Sequence, residues 1–298
     1  MSGDDGITVH AVEEAAKYVS GKIKDVVKIA IMCSSDLDIV SEILTIRRCC
    51  CIPYHDIPNF PKVVSKKSHQ LIFGYFHKLP ILIVQGKLHL YQGYTSRQCT
   101  MMIHILKALG VDYLFLGNTG VAINTKYQPG DIILINKHVY LMGFPDLYPV
   151  DEPLNEKSGP KFANHCPIYD KKLLLKSKDI LTKDLEFQDK LHVGTYAYLT
   201  GPNYATVAEV KFLNARNVDV IGMCIVPEVL AAKRCGMKVL AFSLITSVFV
   251  NNYDNDSESC HDDIIQISNE RSLLMKVFLE KLISFLCDSE ENHLLSKY

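Results

Sequence analysis

Four short polar sequences carry the side chains in this chain that could do chemistry. They are Ser34-Ser35-Asp36, Gln85-Gly86-Lys87-Leu88-His89-Leu90-Tyr91, Asn118-Thr119-Gly120 and Thr246-Ser247. Together they offer hydroxyls, a lysine, a histidine and exposed backbone N–H groups. Charge-assisted donors combined with backbone amides near a turn or helix start are the groups that bind a phosphate. Spacing alone leaves plainer readings open, because a serine at a strand-to-turn boundary also serves as a turn residue or cap.

The elements that must position these residues alternate along the chain. Short β-branched and apolar runs at 26–33, 79–84, 113–117, 131–135, 194–199, 218–222 and 239–245 read as strands buried on both faces. Each of the four polar sequences then follows the end of a strand. Helical periodicity marks 10–24, 95–109 and 262–287, with Gly110 as the terminator of the second. Residues 226–235 form a further helix that opens with Pro227 and stops before Gly236. The stretch 144–170 is rich in Pro, Asn, Asp and Lys, has no period, and reads as a long functional or partner-structured loop. This alternation predicts an α/β protein: a single domain over 1–298 with a mixed, largely parallel central sheet flanked by helices, with residues 1–9 and 288–298 as flexible tails. In such sheets ligands sit beyond the carboxyl ends of strands, where the polar sequences fall.

Bulk properties narrow the function. The 298 residues are 48% hydrophobic and 22% charged with a net charge of -1, so no electrostatic footprint for nucleic acid or an anionic membrane is present. A phosphate-bearing ligand must be held locally. The N-terminus lacks an apolar run, and the apolar stretch 239–250 is too short to span a bilayer, so the chain is expected to be soluble and cytoplasmic. The ten cysteines are scattered, form no CxxC pair and read as reduced thiols; no histidine spacing suggests a metal.

Longer motifs then bring a resemblance. QGKLHLYQGY at 85–94, IPNFP at 57–61, LGVDYL at 109–114, PGDIILI at 129–135, GTYAYLTGPNYATVAE at 194–209, IGMCIVPEV at 221–229 and FSLITS at 242–247 resemble, in order, motifs of the trimeric purine nucleoside phosphorylases. The related methylthioadenosine phosphorylases share the fold, but GMCIVPEV and FSLITS fit the purine nucleoside branch better. The resemblance implies a nucleoside phosphorylase fold and phosphorolysis: inorganic phosphate attacks the anomeric carbon, giving ribose 1-phosphate and free base through a ribosyl-cation-like transition state. It implies a homotrimer, nucleoside, base and phosphate as ligands, and no metal or organic cofactor. Carried over by position, it casts Ser35, Lys87 and His89 as the catalytic set that holds phosphate. Leu88, Thr119 and Cys224 join them, together with Lys67 or His69. Tyr91, Met223, His261 and Phe162 would hold the ribose, Phe162 reaching a neighbouring subunit's sugar site. His261 has the alternative role of capping the last helix. Tyr204, Ala205, Thr246 and Ser247 would face the base.

The departures from the family pattern sit at the site itself. The family's GSGLG turn is here Ser34-Ser35-Asp36-Leu37-Asp38, and its GHxG loop is Lys66-Lys67-Ser68-His69-Gln70, one residue shorter. Its AAGG stretch is Thr119-Gly120-Val121-Ala122, Lys87 stands for an arginine, Cys224 for a serine and Tyr204 for a phenylalanine. In the base pocket Ala205 replaces a glutamate that accepts the purine N–H, and Ser247 replaces an asparagine. A hydrogen bond to a charged group contributes about 1.5–3 kcal/mol, so 6-oxopurines should lose on the order of 10- to 100-fold. The expectation is a phosphorylase with relaxed base choice, accepting inosine, adenosine and even cytidine. A catalytically inactive nucleoside- or base-binding relative is the competing expectation.

Overall fold

The computed structural model describes residues 7–23, 25–34, 48–63, 69–141, 167–249 and 261–288. Nine strands form one sheet: β1 (Ile29–Cys33), β2 (Arg48–Pro53), β3 (Gln70–Phe76), β4 (Leu79–Gln85), β5 (Tyr113–Ala122), β6 (Ile132–Val139), β7 (Leu191–Tyr198), β8 (Val220–Gly222) and β9 (Lys238–Val248). Among the described residues six α-helices accompany them: α1 (Val9–Lys22), α2 (Ser96–Ala108), α3 (Lys171–Asp179), α4 (Val207–Asn214), α5 (Val226–Arg234) and α6 (His261–Asp288). Among the described residues no helix is long and apolar enough to cross a membrane.

The strand order β2-β3-β4-β1-β5-β8-β7-β6-β9 does not stay open, because β9 also pairs with β5. Strands β5, β8, β7, β6 and β9 therefore close into a ring, and β2, β3, β4 and β1 extend from it as an open sheet. Pairings are parallel for β1–β4, β1–β5, β5–β9, β6–β7 and β7–β8, and antiparallel for β2–β3, β3–β4, β5–β8 and β6–β9. The sheet is mixed, as expected from the alternation of elements.

Every residue of β1 is buried because helices cover both faces. Ala30 and Met32 join α1, α2 and α5 residues such as Val19, Leu106 and Val229 in one core layer. Ile29 and Ile31 join Phe278, Leu282 and Leu286 of α6 in the opposite layer. Helix starts are set locally: Thr8 caps α1, and Thr95 with Gln98 forms a capping box on α2. Gly110, at φ +96°, ends that helix in a conformation open to glycine.

Several expectations need correction. Asn118-Thr119-Gly120 and Thr246-Ser247 do not follow their strands but lie inside β5 and β9, which run on to Ala122 and Val248 because the ring gives their later residues partners. Strands β2 and β3 and helices α3 and α4 were not anticipated; β2 (RCCCIP) carries no alternation, and α3 and α4 span only nine and eight residues. The expected N-terminal tail is too long, since Ile7 is buried and Thr8 caps α1. Of the supposed loop at 144–170, residues 144–166 lie outside the described residues, while Asp170 caps α3.

Two predictions concern this framework. Gly120 sits where β5 joins the ring, and a Cβ there would meet Ser243 Oγ at 2.6 Å and Val220 Cγ1 at 2.7 Å. Gly120→Ala should therefore cost about 1–3 kcal/mol by overpacking, read as a lower denaturation midpoint. On α2, burial and the Arg234 guanidinium hold the His104 pKa down at about 4, from 6.5. The unfolded chain takes up this proton near 6.5 and the folded protein does so only near 4, so stability is intact above that window and is lost as pH falls through it. The loss should reach about 3 kcal/mol. Urea titrations across the window check this, and His104→Gln should remove that share of the acid sensitivity.

Candidate active site

The site forms where the ends of β1 and β4 and the middle of β5 meet the start of α5. Cys33, the last residue of β1, is in register with Gln85 of β4 and Gly117 of β5. Ser34 and Lys87 thus leave the sheet close to the level at which Asn118 sits within β5. Each carries a buried polar atom without a hydrogen bond: Ser34 Oγ, Lys87 Nζ and Asn118 Oδ1. Gly86, at φ +88°, turns the chain there, and the His69 ring packs so tightly on it that a Cβ would meet the ring at 2.5 Å. The Gly86 carbonyl accepts a hydrogen bond from Tyr54 Oη at 3.0 Å. Beyond it, a 3₁₀ turn at Leu90–Gln92 stacks the rings of His89 and Tyr91, with centroids 4.8 Å apart and planes 12° off parallel.

The opposite wall is the segment that enters α5. His89 Nδ1 lies 3.8 Å from Cys224 Sγ, and Lys87 Nζ lies 3.6 Å from Glu228 Oε1. Ile225 takes φ +70° to start the helix, an unusual conformation for a β-branched residue. Met223 presses its sulfur towards Gly201, where a Cβ would meet Met223 Sδ at 2.5 Å and Tyr91 Cδ1 at 3.1 Å. Tyr196, fully buried in β7, anchors both walls, its hydroxyl accepting from Asn118 Nδ2 at 3.0 Å and from the Cys224 amide at 3.4 Å. A lysine, a histidine and a thiol thus face one another beside a helix start, an arrangement that could receive an oxyanion.

The chain matches the model of the Phosphorylase superfamily over residues 28–284. It is 35% identical to a purine nucleoside phosphorylase of Anopheles gambiae over 94% of this chain and 79% of the relative. The bovine (Bos taurus) purine nucleoside phosphorylase is 30% identical over 94% of this chain and 96% of its own. The chain belongs to the phosphorylase superfamily, among the purine nucleoside phosphorylases. Its structure superposes on isoform 2 of the Schistosoma mansoni enzyme, in complex with cytosine and ribose-1-phosphate, with a TM-score of 0.85 at 32% identity, covering 93% of this chain and 96% of that one. A second S. mansoni purine nucleoside phosphorylase structure, in complex with adenosine, gives 0.84 at 30% identity, covering 93% and 97%.

Within this phosphorylase the expected site residues separate into three groups. Lys87, His89, Tyr91, Met223 and Cys224 converge as described, with His69 beside Gly86 and Leu88 buried between Lys87 and His89 in the chain. Thr119, Thr246 and Ser247 lie together on neighbouring strands: Thr119 pairs with Leu244, Ser247 with Val121, and Thr246 Oγ1 reaches Gly120 O at 3.4 Å. Tyr204 is 63% exposed and Ala205 half-buried, both just before the Thr206 cap of α4. Ser35, Lys67 and Phe162 lie outside the described residues; His261 begins α6, and its side chain is outside them too. Among the described residues no group of three or more His, Cys, Asp or Glu is placed to hold a metal.

Two residues of this region were not singled out from the sequence. Tyr196 reads as one more aromatic in a strand until its hydroxyl is seen between Asn118 and Cys224. Glu228 had a readable signal, a carboxylate inside the apolar run Val226–Arg234 at a helix start. Burial raises the Tyr196 hydroxyl well above the usual phenol range, and burial with Glu228 and Cys224 nearby pushes the Cys99 thiol up. Tyr196 and Cys99 therefore stay neutral, and Lys87 supplies the cation opposite the Glu228 carboxylate. A thiol is a weak donor beside a hydroxyl. Cys224→Ser should accordingly lower the KM for phosphate by about threefold to tenfold, measured by initial rates; an unchanged value would place Cys224 outside the phosphate cradle.

Proposed function

We propose that this phosphorylase cleaves the N-glycosidic bond of nucleosides with inorganic phosphate, reversibly, in purine salvage and with relaxed base choice. The observation that carries the reading is the convergence of Lys87 and His89 on the Cys224–Glu228 wall, with Tyr91 and Met223 alongside. Lys87, His89 and Cys224 hold phosphate with the Leu88 backbone, Thr119, Ser35, and Lys67 or His69. Of that last pair, His69 has its contact with Gly86 in its favour. Tyr91, Met223, His261 and Phe162 hold the ribose, and Tyr204, Ala205, Thr246 and Ser247 face the base.

In this mechanism phosphate is positioned beneath the anomeric carbon, one phosphate oxygen forms the new C–O bond, and the C–N electron pair leaves with the base. Rate comes from alignment of phosphate and sugar and from stabilising charge as it develops. No metal or organic cofactor takes part. The enzyme works as a cytoplasmic homotrimer, in which Phe162 reaches the neighbouring subunit's sugar.

Relaxed base choice follows from Ala205 and Ser247. A pocket selects by leaving its own polar groups unpaired with the wrong ligand, and a methyl group leaves nothing unpaired. The cytosine and adenosine complexes of the S. mansoni relatives support a broad pocket on this scaffold. The sequence Ser34-Ser35-Asp36, which lacks the family's glycines, favours the second reading, a binding protein without turnover.

Free-base release from inosine, adenosine and cytidine, each with and without phosphate, tests the reading. Phosphate-dependent release from all three is expected, and release from none would establish the binding protein. Ala205→Glu should shift selectivity towards inosine over adenosine by about tenfold or more; strict inosine preference in the unmodified enzyme would end the relaxed-choice reading.

A further inference from the structure

The Lys87–Glu228 pair is built in an unusual way. Both side chains are almost fully buried, at 2% and 5% exposure, yet the atoms stand 3.6 Å apart. That exceeds the usual N–H···O range. Among the described residues, Lys87 Nζ and Glu228 Oε2 have no hydrogen-bond partner. A buried ammonium needs a compensating charge, and leaving one uncompensated is strongly destabilising. Here the charge is balanced, but the three N–H donors of the lysine remain unspent.

Slack in the chain does not account for the gap, because the backbone is fixed on both sides. Tyr54 Oη and the His69 ring hold Gly86, one residue before Lys87. Glu228 sits in the first turn of α5 behind Pro227, where the helix dipole favours a carboxylate.

We infer that Glu228 is a positioning residue for phosphate: it holds the Lys87 ammonium in place from a distance that leaves its donors for the incoming oxyanion. The inference rests on the phosphorylase reading above. A lysine offers a point charge without the planar fork of arginine, so it depends more on an external partner to fix its direction.

The test is Glu228→Gln, which keeps the side chain's size and removes its charge. The KM for phosphate should rise by about 10- to 100-fold, while kcat at saturating phosphate changes by less than about threefold. Glu228→Asp, with the charge retained on a shorter arm, should recover most of the loss. In a Lys87→Met background, Glu228→Gln should change the phosphate KM by less than about twofold, since the cation it positions is gone. Calorimetric titration with inorganic phosphate gives the same comparison without turnover. Equal losses in kcat and KM, an unchanged phosphate KM, or a full effect in the Lys87→Met background would overturn the inference. If the glutamine variant does not fold, the aspartate variant decides: a phosphate KM equal to that of the unmodified protein, with Lys87→Met still impaired, supports positioning by charge, and a loss confined to kcat refutes it. Failure of the unmodified protein to bind phosphate or release base would instead overturn the phosphorylase reading itself.

Discussion

Strand β5 carries a double duty on which the rest of the molecule depends. Its first half pairs with β1 in the open sheet, its last two residues pair with β8, and β9 follows it over the whole length. The open part of the sheet and the closed ring therefore share one strand. Close approach at the junction is possible because Gly117 faces Phe242 and Cys33, and Gly120 faces Ser243 and Val220. A register shift between Gly120 and Val121 marks the point where the sheet bends into the ring. From that bend the course of β8 follows, and with it the segment from Met223 to Glu228 that completes the site.

A near-neutral protein that binds a dianion must concentrate its charge where solvent is scarce. Lys87 lies in such a place, buried opposite Glu228 in the first turn of α5, where the helix dipole adds positive potential. Low dielectric strengthens each of these contributions and also makes an unpaired charge costly. A carboxylate held just beyond hydrogen-bond distance reconciles the two demands, balancing the lysine without occupying it.

The phosphate side and the base side of the site differ in how far they depart from family chemistry. On the proposed phosphate side two replacements keep a function, lysine for arginine the charge and cysteine for serine a donor, while the glycines around Ser35 are lost. On the base side, alanine for glutamate removes an acceptor outright. A scaffold that keeps its means of holding phosphate and sugar while relaxing its grip on the base retains the shared chemistry of phosphorolysis and loses only its discrimination.

Much of this was legible in the amino-acid order. Periodicity located α1, α2, α5 and α6, the apolar runs located seven strands, and QGKLHLYQGY with GMCIVPEV pointed to the family and to Lys87, His89, Tyr91, Met223 and Cys224. These features are local: caps, 3.6-residue spacing and short motifs are written in neighbouring residues. The closure of β5 on β9, the inclusion of Thr119 and Thr246 within strands, and the roles of Tyr196 and Glu228 were not legible. Each depends on partners roughly 30 to 140 positions away in the chain, so it exists only once long-range pairing has formed. An acid in an apolar helix start and a tyrosine in a strand acquire their meaning from what the fold sets opposite them.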